Sequence, residues 1–390
     1  MADFQKIKVG VIGAGTMGSG IAQVAAQAGH ETLLFDADPR MAEKARKGHE
    51  QTMSKLVEKG KLTQDAAAGI LSSIKYASAP HEFEGCGLVI EAIVENLEVK
   101  QKVFNDVEKI VEKDCILATN TSSLSVTSIA AVCNDPGRVT GIHFFNPAPL
   151  MPLVEIVGGI ATSSAVVQEA RKLIDSWGKV TVVAKDTPGF IVNRIARPYY
   201  GEAIRIVEER IADFATVDWA MREHGFKMGP FELMDLIGND INYTVTETVW
   251  KQLFFDPRYK PSLTQKRLFE AGRFGRKTGQ GYFSYAADAK QPEPQKDTQL
   301  GETIFMRILA MLVNEAMDAW YLGIATREDI DLAMIKGVNY PKGLLKWCDE
   351  IGASEILHVL NELKETYSEE RYRPSVLLKQ KAMEEIGSKQ

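Results

Sequence analysis

Gly13, Gly15 and Gly18, in the run Gly13-Ala14-Gly15-Thr16-Met17-Gly18, are spaced to hold a phosphate with backbone rather than with side chains. The first glycine permits a tight turn, the second lets backbone approach a pyrophosphate, and the third lets a helix pack on a strand, with the helix N-terminus facing the phosphates. Asp36 follows where a carboxylate can accept hydrogen bonds from an adenosine ribose, which favours NAD over NADP, whose 2′-phosphate it would repel. Taken alone, Asp36 also reads as a turn or helix-capping aspartate.

These residues need a strand, a turn, a helix and a second strand in that order. Lys6 to Ile12 reads as a short buried strand, and the glycine turn passes into a helical apolar pattern through Ile21, Val24, Ala25 and Ala28. Gly29-His30 ends that helix, Glu31 to Phe35 makes a second strand, and Asp36 stands at its C-terminal end. Leu88 to Ile93 and Cys115 to Thr119 read as further buried strands, separated by a helix around Leu97 to Glu112. The alternation predicts a parallel, doubly wound α/β sheet, and ligands of such sheets lie at the C-terminal ends of the strands. That rule nominates Glu95, Asn120 and Ser122 as residues near the cofactor. Glu95 with Lys100 also fits a solvated pair at a helix start, and the Asn120-Thr-Ser-Ser run a capped loop.

A length of 390 residues predicts two or three domains. The 45% hydrophobic and 25% charged content is that of a globular protein. A net charge of −6 argues against a general affinity for nucleic acid or anionic membrane, so anionic ligands must be held locally. The four cysteines, Cys86, Cys115, Cys133 and Cys348, form neither a Cys-x-x-Cys pair nor a disulfide scaffold, which fits a reducing cytoplasm. The first apolar run, Ile7 to Ile12, is too short for a signal-peptide core. The longest uncharged stretch, Cys115 to Asn134, is too rich in Ser, Thr and Asn for a membrane span. A cytoplasmic protein without metal is expected.

His143-Phe-Phe-Asn146-Pro-Ala-Pro-Leu-Met-Pro-Leu-Val-Glu155, followed by Lys185-Asp-Thr-Pro-Gly-Phe-Ile-Val-Asn193-Arg194, resembles the signature of the L-3-hydroxyacyl-CoA dehydrogenase family. The likeness continues through Met228-Gly-Pro-Phe-Glu-Leu-Met-Asp-Leu-Ile-Gly238 and Phe274-Gly-Arg-Lys-Thr-Gly-Gln-Gly281, and is greatest to short-chain bacterial members acting on 3-hydroxybutyryl-CoA and 3-hydroxyadipyl-CoA. It implies a Rossmann-type NAD-binding domain followed by a helical domain, and reversible oxidation of a 3-hydroxyacyl-CoA to the 3-oxoacyl-CoA. It further implies that His143 is the general base, Glu155 its orienting partner, and Ser122 and Asn193 the groups that hydrogen-bond the reacting oxygen. Imidazole titrates near neutral pH, so it can take the hydroxyl proton and return it. A carboxylate on its other nitrogen fixes the tautomer. The resemblance assigns Glu95, Lys100, Asn120, Asn146 and Lys277 to the cofactor side, and Thr52 and Lys59 to coenzyme A. Thr52 departs from the serine of better-known members but keeps a hydroxyl. Lys44 to Lys61 carries several lysines and one arginine, either a local anion site or a solvated helix face.

The chain then repeats itself. Glu202-Ala203 recurs as Glu315-Ala316, Asp218-x-Ala-Met as Asp331-x-Ala-Met, and Arg258-Tyr-Lys-Pro-Ser262 as Arg371-Tyr-Arg-Pro-Ser375, each offset by 113 residues. A constant offset marks an internal duplication. The expected organisation is an NAD-binding domain over 1–186, a helical domain over 187–290, and a second, degenerate helical copy over 291–390, joined through the Gln291-Pro-Glu-Pro linker. Arg194 corresponds to Arg307, but Asn193 falls on Met306, so the second copy reads as structural. It would supply within one chain a contact that two-domain relatives make between subunits, giving a monomer with an internal pseudo-dimer or a homo-oligomer. Two rival readings are a dehydrogenase of a free hydroxy acid and a non-catalytic nucleotide- or CoA-binding protein on the same fold.

Overall fold

The short apolar runs bury both of their faces, as strands flanked by helices on both sides must. In β1 (Val9–Ile12) Val9 and Val11 join one core with Ile21, Ala25, Ile90, Ile142 and Trp177. Ile12 joins the opposite core with Leu33, Val89, Phe104 and Leu117. The computed structural model describes residues 7–387 and divides into two units, residues 1–190 and 191–390.

In the first unit β1 is joined by β2 (Thr32–Phe35), β3 (Ile74–Tyr76), β4 (Leu88–Glu91), β5 (Ile116–Thr119), β6 (Val139–Phe144), β7 (Leu153–Gly158) and β8 (Val180–Lys185). Their order across the sheet is β3-β2-β1-β4-β5-β6-β7-β8. All neighbours are parallel except β6 and β7, which run antiparallel. The expected doubly wound sheet is present, with shorter strands than predicted and one reversed step. Lys6, the expected start of the first strand, lies outside the described residues. Six helices cover this sheet: α1 (Thr16–Gln27), α2 (Pro39–Glu58), α3 (Gln64–Ser73), α4 (Leu97–Glu108), α5 (Val126–Ala130) and α6 (Ser164–Ser176). Side-chain caps start several of them: Asp38 accepts from Arg40 N before α2, and Asn96 from Val99 N before α4.

The second unit is helical: α7 (Val192–Ile195), α8 (Arg197–Glu208), α9 (Phe214–Glu223), α10 (Pro230–Ile237), α11 (Asn239–Gln252), α12 (Leu263–Glu270), α13 (Thr298–Tyr321), α14 (Arg327–Gly337), α15 (Leu344–Ile351), α16 (Ala353–Tyr367) and α17 (Val376–Gly387). The same local devices recur in its two halves. Asp218 accepts from Phe231 N and Glu232 N at the start of α10, and Asp331 from Leu345 N and Lys346 N at the start of α15. A Cβ on Gly229 or Gly343 would collide with the respective aspartate, at 2.3 and 2.2 Å. Gly238 and Gly352, at φ 107° and 102°, start α11 and α16.

The two halves also exchange buried charges. Arg307 lies 3.1 Å from Glu202, and Arg194 lies 3.8 Å from Glu315. Tyr372 donates to Glu202 and Tyr259 to Glu315. Each guanidinium therefore reaches the carboxylate of the other half, as in an approximate two-fold arrangement. The division between the units falls at 190/191, and both halves lie in one unit.

Candidate active site

His143 is the penultimate residue of β6, and the antiparallel register places Glu155 of β7 directly opposite it. His143 Nδ1 is 2.7 Å from Glu155 Oε2, with both side chains buried. A carboxylate only accepts, so neutral His143 donates from Nδ1 and keeps its lone pair on Nε2. Phe145 and Phe190 pack beside the imidazole, with ring centroids 4.5 and 5.8 Å away. An apolar bed with one ring nitrogen tied down suits a proton acceptor of fixed direction.

Ser122, half-buried, lies on the loop that leaves β5, the parallel neighbour of β6. Glu95 holds this loop: it accepts from Thr121 Oγ1 at 2.5 Å, Ser122 N at 3.0 Å, Ser123 N at 3.1 Å and Ser123 Oγ at 3.0 Å. Burial opposes the charge of Glu95, but the Lys100 ammonium and the Thr121 and Ser123 hydroxyls outweigh it and hold its carboxyl below the usual carboxylate range. Asn120 ties β5 to β6, its Oδ1 accepting from Phe144 N at 2.8 Å beside His143. Lys100 is only 1% exposed and is engaged by Glu91 at 2.6 Å and Glu95 at 3.2 Å. Glu91 was not among the sequence-predicted residues, although a lone charge inside the apolar run Leu88 to Ile93 was a signal of a buried partner.

The nucleotide end fits the expected dinucleotide. Gly13 has φ 101°, and a Cβ on Gly18 would lie 1.7 Å from Gly13 O, so these two glycines are required by the turn itself. A Cβ on Gly15 would meet nothing within 4 Å, so its open side is available to a ligand. α1 starts at Thr16 without a side-chain cap, as a helix aimed at phosphate would. Met17 lies half-buried in its first turn. Asp36 accepts from Ala14 N at 2.7 Å and Asp38 N at 2.9 Å, which fixes its carboxylate beside the glycine turn.

The other expected residues are more dispersed. Thr52 and Lys59 are both borne by α2 or its C-cap, with Thr52 Oγ1 donating to Gly48 O and Lys59 exposed. Asn146 is exposed in the loop after β6. Asn193 lies in α7 and Lys277 pairs with Asp240 at 2.6 Å, both in the second unit. The Met228 to Gly238 and Phe274 to Gly281 motifs meet at Asp235. Its fully buried carboxylate accepts from Tyr282 N and Phe283 N; a Cβ on Gly281 would strike that carboxylate, and one on Gly275 the Asp235 backbone. Asp186, in the Lys185 to Arg194 motif, caps α5 through Ser125 Oγ, Val126 N and Thr127 N. Sequence reasoning missed both supports.

The family model of the 3-hydroxyacyl-CoA dehydrogenase NAD binding domain matches residues 8–187, and that of the C-terminal domain matches residues 189–285 and 304–390. The 3-hydroxyadipyl-CoA dehydrogenase of Escherichia coli (strain K12) is 38% identical, over 97% of this chain and 98% of that protein. The probable 3-hydroxybutyryl-CoA dehydrogenase of Bacillus subtilis (strain 168) is 39% identical, over 70% of this chain and 96% of that protein. The crystal structure of 3-hydroxybutyryl-CoA dehydrogenase from Escherichia coli K12 superposes with a TM-score of 0.94 at 36% identity, covering 99% of this chain and 100% of that one. Among the described residues no helix is long and apolar enough to cross a membrane.

Proposed function

The chain belongs to the 3-hydroxyacyl-CoA dehydrogenase family and is an NAD-dependent oxidoreductase; from that premise we propose that it oxidises a short (S)-3-hydroxyacyl-CoA with His143 as general base. The observation that carries this reading is the His143–Glu155 pair at the C-terminal edge of the sheet.

NAD, when bound, supplies the acceptor for the hydride leaving carbon 3. His143 Nε2 takes the hydroxyl proton as the carbonyl forms, and Glu155 stabilises the imidazolium through Nδ1. Ser122 and Asn193 are the proposed donors to the reacting oxygen, and Glu95 holds the Ser122 loop. Gly13, Gly15, Thr16, Met17, Gly18 and Asp36 would hold the adenosine and pyrophosphate, with Asn120, Asn146, Lys100 and Lys277 proposed on the cofactor side. Thr52 and Lys59 are the proposed coenzyme A contacts. The proposed assembly uses residues 187–290 and 291–390 as internal twins, a division supported by the double match of the C-terminal model. The test is NADH formation with (S)-3-hydroxyacyl-CoA esters of increasing length and 3-hydroxyadipyl-CoA. No turnover with any of them would set the activity aside.

One observation favours a substrate with a carboxylate at the far end of its acyl chain. Arg197, one helical turn from Asn193, is buried and donates to Asn193 O at 2.8 Å and Thr246 Oγ1 at 3.0 Å. It has no carboxylate within ion-pair distance among the described residues, and burial lowers its basicity. Tyr340, which interacts electrostatically with Arg197, has a buried hydroxyl without a hydrogen-bond partner among the described residues. A buried guanidinium without a counter-ion is costly, and a dicarboxylic acyl chain would supply one. Arg197→Met should lower kcat/KM for 3-hydroxyadipyl-CoA at least about tenfold more than for 3-hydroxybutyryl-CoA. Equal losses on both substrates would rule this out.

A further inference from the structure

Glu91 ends β4, is 1% exposed, and receives three donors. Lys100 Nζ at 2.6 Å and Ile93 N at 2.7 Å reach one carboxylate oxygen, and Thr119 Oγ1 at 2.8 Å reaches the other. Lys100 Nζ and Ile93 N can only donate, so Glu91 faces Lys100 as the carboxylate of a buried ion pair. Lys100 Nζ also meets Glu95 at 3.2 Å, whose side chain is 35% exposed. The cluster therefore holds two carboxylates and one ammonium, a net charge of −1. Burying such a cluster stabilises little, because apolar residues of the same volume would serve as well or better.

Its place in the sheet suggests what the charge is for. Asp36 follows β2, on one side of β1, and β4 and β5 lie on the other. A dinucleotide spans the two halves of such a sheet, so adenosine belongs on the Asp36 side and nicotinamide on the side of β4 and β5. Glu95 is the outermost of the three groups and also holds the Ser122 loop.

We propose that Glu91 is a positioning residue that holds Lys100 from beneath, so that Lys100 does not neutralise Glu95 and a net negative charge faces the nicotinamide half. The inference rests on the NAD reading of the sheet. The oxidised nicotinamide ring is a cation and the reduced ring is neutral, so a negative charge beside it favours NAD+ binding over NADH binding. Glu91 touches neither cofactor nor substrate; it acts through Lys100 and Glu95.

The experiment measures dissociation constants of the purified full-length protein for NAD+ and for NADH, by calorimetric titration without substrate. Glu91→Gln brings the cluster to zero net charge and should weaken NAD+ relative to NADH by about three- to tenfold. The double variant Glu91→Gln with Lys100→Met returns the cluster to −1, carried by the partly exposed Glu95 and its donors from Thr121, Ser122 and Ser123, and should restore the wild-type ratio. A purely structural role predicts a double variant no nearer to wild type than the single one, and that result would overturn the proposal, as would an unchanged ratio in Glu91→Gln. Should Glu91→Gln fail to fold, the double variant is compared with Glu95→Gln/Glu91→Gln/Lys100→Met, which has no charge in the cluster. The same three- to tenfold difference is then expected between those two, and equal ratios would overturn the proposal. A wild-type protein that binds neither dinucleotide would instead remove the NAD premise.

Discussion

Glu155 faces His143 because the sheet reverses direction between β6 and β7. The return loop brings a residue twelve positions along the chain into direct cross-strand register, so the acceptor for Nδ1–H comes from rigid backbone rather than from a mobile loop. Replacing either member should therefore act on chemistry more than on binding. His143→Gln should lower kcat by about 10²–10⁴-fold with NADH affinity unchanged. Glu155→Gln, which removes the tautomer-fixing acceptor, should cost about 10²–10⁴-fold. The double variant should be no slower than His143→Gln alone, because the two act as one unit. Initial rates with 3-hydroxybutyryl-CoA and NADH titrations check this, and a His143→Gln variant retaining most of its rate would place the base elsewhere.

Gly15 separates a ligand requirement from a folding requirement. It has open space where a Cβ would stand and sits at φ −67°, which any residue adopts. Gly15→Ala should leave the melting temperature unchanged while weakening NAD+ binding on the order of tenfold, because only the pyrophosphate needs the close approach. A lower melting temperature with unaltered affinity would contradict this.

Glu95 predicts a particular acid sensitivity. Its folded carboxyl is held below the ordinary value near 4.5, so it releases its proton more readily in the folded chain than in the unfolded one. The stability this provides is complete above the unfolded value and is lost as the pH falls through the folded value. The destabilisation caused by Glu95→Gln should therefore be greatest near neutral pH and shrink as the pH falls from neutral to below the ordinary value near 4.5. Melting temperatures of both proteins across that range test it, and a constant gap would count against it.

Glu315 predicts how tightly the helical halves depend on each other. It is fully buried and serves Arg258 at 2.6 Å, Tyr259 and Arg194. Glu315→Gln leaves buried guanidinium groups short of a counter-charge and should destabilise the second unit by about 3–5 kcal/mol. A denaturant midpoint shift corresponding to less than about 1 kcal/mol would show that these ions are relieved by water.

Much of this was legible in the sequence because the signals were local. The glycine run, Asp36 and the apolar strands each follow from neighbouring residues, and the 113-residue offset needs only self-comparison. What was not legible depends on side chains meeting from afar. The reversal at β7 has no local signature, since an apolar run buried on both faces reads alike in either direction. Glu91 and Lys100 meet only after β4 and α4 have formed, so in sequence Lys100 reads as a cofactor-side residue or half of a solvated pair with Glu95, and its buried partner Glu91 goes unseen. Asp235 likewise gains its purpose from the backbone of Tyr282 and Phe283, nearly fifty residues away.

The exchange of buried charges between the helical halves bears on how such a protein changes over time. Where a two-fold contact joins two products of the same gene, every substitution is made on both sides at once. In this chain the two sides are encoded separately, and Arg307 can keep its hold on Glu202 while position 306 carries methionine where position 193 carries asparagine. One half is free to be a scaffold because the other is not obliged to copy it.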